Sequence, residues 1–396
     1  MLSFHYTEEL LGIKDGEITR IENDKKHRAI HIHLRLDQQY HECSRCREVV
    51  YQVHDYREQK VKGPPIGQSA LYIHYVKRRY RCPHCGKRFP ENNSFVRRYQ
   101  RMTDELFAFI LAKLKTNMAV NSIAQGANVS SATVNRLFHF LAEPKKELPR
   151  VLSIDEFKGN AGGEKFLAIL TDPVNRRIID ILPGRQTHHL TSYFRQFPRE
   201  ERLKVEAVVM DMTRYYRDTA QVYFPKARIV ADPFHFVRLV NWALEEVRKE
   251  TQGKLSQDRR RYFKRSRFLL LKRLNKLTDE EKEYLFAMLE LSPRLAEAYW
   301  LKEKFMSFME AKEEREIRNR LSLWFTAVSQ CSIERFKKVA DTFQQWVTPI
   351  INARLLRYSN GYTEGVNNKI KVLKRNAFGF RNFQRFRQRI IYLCSS

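Results

Sequence analysis

The stretch Arg150-Val151-Leu152-Ser153-Ile154-Asp155-Glu156-Phe157 reads as a buried strand with an acid near its end. A polar lead-in precedes apolar Val151, Leu152 and Ile154, and Asp155 follows. Val205-Glu206-Ala207-Val208-Val209-Met210-Asp211 has the same shape. Short apolar runs bounded by polar residues suit central strands of a sheet covered on both faces. A carboxylate at the carboxyl end of such a strand lies at the sheet rim, where ligands bind in open α/β sheets. Two acids on neighbouring strands can hold a hard divalent cation such as Mg²⁺. Taken singly, each aspartate reads equally well as a cap or an ion-pair partner, so the surrounding chain decides.

After Asp155 the pattern gives a Gly-containing turn, then strands over 165–172 and 176–182 with Asp172-Pro173-Val174-Asn175 turning between them. Three such strands make an antiparallel meander. A helix over 187–197 leads to the strand ending at Asp211, and a helix from Tyr215 leads to Ala227-Arg228-Ile229-Val230-Ala231-Asp232. The order β-β-β-α-β-α-β is that of the ribonuclease H-like fold, which presents acids from its first and fourth strands. Residues 234–350 carry helical signals only and almost no glycine, which predicts a long helical insertion. A helix over 362–375 follows the turn Ser359-Asn360-Gly361, with Glu364 in its first turn and Asn367, Lys371 and Lys374 near the same stripe. An acid facing metal, with basic residues beyond it, suits a phosphodiester. An exposed capping glutamate is the competing reading. The tail 378–387 mixes aromatic and basic residues.

The amino-terminal part is built differently. Ile30 to Leu36 alternates apolar and polar residues as a half-buried strand does, with His31 and His33 on its solvent face. Cys43-Ser44-Arg45-Cys46 and Cys82-Pro83-His84-Cys85-Gly86 are two C-x-x-C knuckles, a spacing that makes a four-thiolate zinc site when the chain between them folds back. This is a zinc ribbon holding one structural Zn²⁺. Around it Lys77, Arg78, Arg79, Arg81, Lys87 and Arg88 form a basic, aromatic-laced surface suited to phosphates. Thr103 caps a helix whose apolar residues repeat from Leu106 to Leu114. The segments 120–124 and 130–137 then form a helix-turn-helix, with Ser131, Thr133, Asn135 and Arg136 facing a DNA groove. Residues 143–149 form a linker.

The 396 residues include 43% hydrophobic and 30% charged ones, the balance of a folded protein, and a formal net charge of +28 calls for a polyanionic partner. No apolar run is long enough to span a bilayer, and the amino terminus lacks a signal-peptide pattern. A cytoplasmic, nucleoid-associated protein with reduced thiols is expected, and Cys331 and Cys394 read as ordinary buried or tail thiols.

Together these elements resemble a DDE transposase, most closely those of ISL-three-type bacterial insertion sequences. SIDEF carries Asp155, VVMDMTRYYRD carries Asp211, and NGYTEGVNNKIKVLKRNAFGF carries Glu364. Asp232-Pro233-Phe234-His235 resembles the D-x-x-H element of such enzymes, which makes His235 a candidate active-site residue; Asp232 capping the next helix explains the motif nearly as well. The resemblance implies a multidomain α/β protein: a zinc-ribbon domain (1–100), helix-turn-helix and linker (101–149), a ribonuclease H-like mixed-sheet catalytic core (150–233 and 356–396), and an all-helical insertion (234–355). It implies two Mg²⁺ or Mn²⁺ ions, with Asp155 bridging both and Asp211 and Glu364 each holding one. Two metals activate the nucleophile and stabilise the leaving oxygen, so water cuts the strand and the freed 3′-hydroxyl attacks target DNA. The partners implied are double-stranded DNA, as terminal inverted repeats and as target, and a second copy of the chain on paired ends. The alternative is a sequence-specific DNA-binding regulator without catalysis.

Overall fold

The computed structural model describes residue 9 and residues 11–97, 100–141, 143, 146–256, 259–260, 263 and 266–395. Residues 1–8 of the amino-terminal lead and Pro144 and Lys145 of the expected linker lie outside the described residues. The chain divides into two compact units: Met1–Glu143 with Lys371–Phe380 and Gln384–Cys394, and Pro144–Ile370 with Arg381–Phe383 and Ser395–Ser396.

In the first unit, β1 (Gly16–Asp24), β2 (Ala29–Leu36), β3 (His41–Glu42), β4 (Val49–Val50), β5 (Val53–Ile66), β6 (Ser69–Arg81) and β7 (Arg88–Pro90) follow in order. The large sheet runs β1-β2-β6-β5 with β7 beside β6, and β2 lies parallel to β6. Alternation sets its faces. Ile32, Leu34, Val61, Leu71, Ile73 and Tyr75 build one core with Phe95, while Lys60, Lys62, Tyr72, His31, His33 and His74 take the other side. Strand β5 is absent from the sequence reading because its Pro64-Pro65 pair reads as a breaker. The prolines lie at its far end, inside the register shift between Gly63 and Ile66, where a missing donor is tolerated. Next come α1 (Asp104–Leu114), α2 (Val120–Gly126) and α3 (Ser131–Leu137), followed by a 3-10 turn at Phe138–Phe140. Thr103 and Ser130 cap α1 and α3 by accepting from Leu106 N and Thr133 N. The three helices share a core of Leu106, Ile110, Ile123, Val134 and Leu137.

The second unit holds β8 (Val151–Ala161), β9 (Glu164–Asp172), β10 (Arg177–Leu182), α4 (Thr187–Phe194), α5 (Arg199–Arg202), β11 (Ala207–Met210), α6 (Arg214–Tyr223) and β12 (Arg228–Ala231). Sheet order is β10-β9-β8-β11-β12; β8, β9 and β10 are antiparallel, and β11 is parallel to both β8 and β12. The seven-element order read from sequence is present. Strand β8 runs past its expected end: it keeps pairing with β9 to Ala161, while its pairing with β11 stops at Ile154.

The predicted insertion is helical: α7 (Pro233–Lys254), α8 (Ser266–Leu271), α9 (Asp279–Glu290), α10 (Pro293–Glu310), α11 (Glu314–Ser329), α12 (Glu334–Gln344) and α13 (Val347–Leu356). Its described buried residues pack into the same core as the sheet. Val208 and Val230 of the sheet belong to the same buried cluster as Phe236, Phe305, Trp324, Phe343 and Ile350, and Asn352 Nδ2 donates to Ile229 O at 2.9 Å. Helix α14 (Gly361–Asn376) carries Glu364 in its first turn.

The tail ends in α15 (Phe383–Cys394). The sequence reading assigned all of 356–396 to the catalytic core, yet most of the tail packs within the first unit. Arg389, fully buried, donates through Nη2 to Thr116 O (2.8 Å) and Met118 O (2.9 Å), carbonyls just past α1. A buried guanidinium is tolerated only with such acceptors, and this pairing joins residues far apart in sequence.

Because insertion and sheet share one core, Trp324→Ala should unfold more than the insertion. Trp324 is fully buried and its Nε1 donates to Leu301 O at 3.0 Å. Its truncation is expected to cost about 3–5 kcal/mol. Hydrogen exchange of the β11 amides should accelerate along with that of α10 and α11; faster exchange confined to the insertion would contradict a shared core.

Candidate active site and metal centre

Register builds the site. The last β8–β11 pair is Ile154 with Met210, and the last β11–β12 pair is Met210 with Ala231. The next residue on each strand is an aspartate: Asp155, Asp211 and Asp232. Three parallel strands therefore present three carboxylates at one level of the sheet rim. Asp155 is 7% exposed and Asp232 1% exposed. Burial, and then the charge of Asp211, pushes the Asp155 carboxyl up to about 7. Burial also raises Asp232, with Asp211 and Glu364 adding to it and the Asn360 N–H and His235 opposing.

His235, on the first turn of α7, joins this row. Its Nε2 lies 2.6 Å from Asp211 Oδ1 and 3.6 Å from Asp232 Oδ2. Arg238 Nη2 lies 3.2 Å from Nδ1 and donates to it, which leaves the ring proton on Nε2. Burial works against charge on this ring, but the hydrogen bond to Asp211 and the charges of Asp211 and Asp232 outweigh it and raise its pKa. Donor atoms of Asp211, Asp232 and His235 all lie within 4.8 Å of one another. The sequence reading names Asp155, Asp211 and Glu364 as metal ligands and leaves Asp232 open between a D-x-x-H element and a helix cap. Asp232 makes no side-chain cap bond to α7; its Oδ1 accepts from Asn360 N at 3.2 Å. The signal was available, since Asp232 ends its apolar run just as Asp155 and Asp211 end theirs.

A buried polar network fixes the start of α14 against this row. Ser153 Oγ donates to Asn360 Oδ1 (2.5 Å) and lies 3.0 Å from Thr363 Oγ1, which is 2.8 Å from Thr171 Oγ1. One turn on, Asn367 Nδ2 donates to Asp155 Oδ2 at 3.0 Å, while Asp155 Oδ1 accepts from Glu156 N at 2.7 Å. Asn367, read from sequence as a DNA contact, is 8% exposed and holds Asp155 instead. Glu364 is half-buried in the first turn of α14, and its charge reaches Asp232. Lys371 and Lys374 lie farther along α14, among the residues that belong to the first unit. Beside the row, Glu156 accepts from Arg185 Nη1 (2.6 Å) and from the hydroxyls of Tyr215 and Tyr216 (3.3 Å each), which accounts for both tyrosines.

The four knuckle cysteines converge as expected. Cys43 Sγ is 3.5 Å from Cys85 Sγ, and Cys46 Sγ is 3.4 Å from Cys82 Sγ and 3.5 Å from Cys85 Sγ. Both knuckles close alike, by Arg47 N to Cys43 O and by Gly86 N to Cys82 O. Arg47 (φ 59°) and Gly86 (φ 69°) take the left-handed turn that each needs. Four thiolates in this arrangement are a structural zinc donor set.

The expected DNA contacts divide. Arg78 is turned inward: its guanidinium donates to Leu36 O, Asp37 O and buried Glu91. Arg79 pairs with Asp55 at 3.2 Å. These two are committed within the fold, because strand β6 lies inside the sheet and presents them to neighbouring carbonyls and acids. Arg81, Lys87 and Arg88 are exposed. On α3, Ser131 donates to Asn121 Oδ1 (2.7 Å), Arg136 Nη2 donates to Thr133 Oγ1 (3.1 Å), and Asn135 is half-exposed.

A transposase family model, that of the ISL3 DDE type, matches residues 152–390, which include every residue of this acidic site. The chain belongs to the ISL3 transposase family. A second model, the zinc finger of IS204/IS1001/IS1096/IS1165 transposases, matches residues 39–85, the span of the four cysteines, and supports one structural Zn²⁺ there. The chain is 28% identical over 395 residues to the transposase for insertion sequence element IS1001 of Bordetella parapertussis, covering 98% of this chain and 97% of that protein. It is 27% identical over 258 residues to the transposase for IS1557 of Mycobacterium tuberculosis, covering 59% of this chain and 58% of the relative. This family member is a DNA-processing enzyme of an insertion sequence. Among its described residues no helix is long and apolar enough to cross a membrane.

Two outcomes follow for this transposase. Cys82→Ser should lose stoichiometric zinc in metal analysis and destabilise the first unit, leaving the melting of β8–β12 unchanged. The second concerns Asp155, whose pKa of about 7 lies above the ordinary carboxylate value of about 3.9. The unfolded chain sheds this proton first, so the native state loses stability as pH rises from about 4 to about 7 and stays lower above that. In chelator, Asp155→Asn should therefore gain stability relative to wild type across that window. Identical differences in melting temperature at pH 4.5 and pH 8 would refute the shift.

Proposed function

We propose that this chain binds insertion-sequence ends and catalyses metal-dependent DNA cleavage and strand transfer from a ribonuclease H-like core. The observation that carries this reading is the alignment of Asp155, Asp211 and Asp232 at one level of a β10-β9-β8-β11-β12 sheet, with Glu364 on a helix pinned beside them. The donor set fits a hard divalent cation. Its oxygens are carboxylates, Asp232 Oδ2 lacks a hydrogen-bond partner, and the burial and neighbouring Asp211 charge that raise Asp155 are a cost that a bound cation offsets. Asp155, Asp211 and Glu364, joined by Asp232, would hold Mg²⁺ or Mn²⁺. Two such ions, when bound, activate an attacking oxygen and stabilise a leaving one.

The chain's own groups do the positioning. Asn367 and Glu156 N fix both oxygens of Asp155, so its carboxylate faces the rim in one orientation. His235 holds Asp211 through Nε2, and Arg238 sets the tautomer. Asp232 ties the start of α14 to the end of β12, keeping Glu364 near the row. Helices α2 and α3 supply a helix-turn-helix for the element's ends, and the zinc ribbon stiffens the sheet beside it. Work on two paired ends calls for at least two copies of the chain.

The test is a cleavage and joining assay on duplexes carrying the element's ends, with Mg²⁺ or Mn²⁺. Wild type should cut and join. Asp155→Asn, Asp211→Asn and Glu364→Gln should each lose at least about a thousandfold in rate, the scale on which electrostatic machinery is felt, and still bind DNA. A wild type that binds ends tightly and cuts with neither metal would leave a DNA-binding regulator as the better reading.

A further inference from the structure

The first unit has an open groove of about 1000 Å³, walled on one side by β5 and β6 and on the other by the turn and helix α3. Lys60, Arg101, Arg136 and His139 line it with Tyr72 and Phe140, and no Asp or Glu lies among its described lining residues. A solvated charged face usually mixes both signs, and here the lysines and arginines meet only neutral polar, apolar and aromatic neighbours. Lys60 Nζ stands 4.2 Å over the Tyr72 ring, and His31 stacks on that ring at 5.3 Å, so the basic wall is also aromatic. Phe140 is 53% exposed at the opposite lip.

The two walls are fixed to each other. Lys62 Nζ donates to Asn128 O at 2.8 Å, in the turn before α3. Lys62 N donates to Arg101 O at 3.0 Å, and Thr103 N donates to Lys62 O at 2.8 Å. Sheet and helix therefore present their cations at a set spacing. None of Lys60, Tyr72, Arg101 or His139 stands out in sequence: Lys60 and Tyr72 are alternate residues of two strands, and the other two flank the helices.

We propose that this groove takes the phosphate backbone of duplex DNA, so that β5, β6 and α3 grip the element's end as one surface. The proposal rests on the reading that this chain binds such ends. Backbone contacts fix register and carry no sequence information, whereas Arg136 on α3 is placed to reach base edges. The cations repel each other until phosphates neutralise them. Removing a cation that neutralises one phosphate should lower the salt slope of log K by about 0.9.

Fluorescence anisotropy on the full chain, with an end duplex and a random duplex of equal length over a salt series, tests this. Lys60→Ala/Arg101→Ala changes exposed side chains only, and retained zinc content and far-UV spectrum report its fold. It should weaken both duplexes about tenfold or more by similar factors and flatten the salt slope by about 1 to 2. Lys25→Ala/Lys26→Ala, two exposed cations in the turn between β1 and β2, should bind as wild type. A groove variant with wild-type affinity and slope, or an equal loss in the turn variant, overturns the groove. Failure of wild type to bind the end duplex at all overturns the functional reading itself.

Discussion

Like charges held at one level of a sheet repel, and the second unit is organised around keeping three of them there. Parallel pairing of β8, β11 and β12 leaves no freedom: once Ile154, Met210 and Ala231 are in register, Asp155, Asp211 and Asp232 must be neighbours. The apolar residues before each acid are fully or almost fully buried, so shifting the register would expose them. Hydrophobic burial thus sets the spacing of the carboxylates, and the raised pKa values of Asp155 and Asp232, due first to burial with the charge of Asp211 adding to it, express the cost.

That cost explains the polar network beneath. Ser153, Thr171, Asn360 and Thr363 are each fully buried, and a buried hydroxyl or amide is tolerated when it is hydrogen-bonded. Their bonds join the neighbouring strands β8 and β9 to the start of α14, 192 to 210 residues further along the chain. Asn367 then adds its donor to Asp155, one turn along the same helix. The helix bearing Glu364 is held by geometry rather than by charge. The long insertion fits this logic, since its aromatic cluster is continuous with the core under the strands, and stiffness gained there is transmitted to the rim.

The first unit solves a different problem. Its sheet has one apolar and one polar face, and the thiol cluster secures its end where β6 and β7 leave the knuckle. With one face buried and the edge held, the other face is free to carry Lys60, Lys62, Tyr72 and the three histidines. Arg389 closes the unit by bringing the chain's last helix onto the end of α1.

Much of this was written locally. The strand ends at Asp155 and Asp211, the two cysteine knuckles, the cap at Thr103, and the helix bearing Glu364 follow from runs, spacings and turn residues that act within about ten positions, and the sequence alone determined them. Tertiary structure decided what depends on partners distant in the chain. It gave the Asp232 side chain to the acidic row and not to a cap, set Asn367 on Asp155, and turned half-buried Arg78 inward onto the carbonyls of Leu36 and Asp37. It also extended β8 past its acid, because β9 continues the pairing that β11 abandons. In each case the residue type permits two roles and only the neighbour selects one: an aspartate caps or clusters, and an arginine reaches phosphate or a carbonyl, according to which atoms the folded chain brings within about 3 Å.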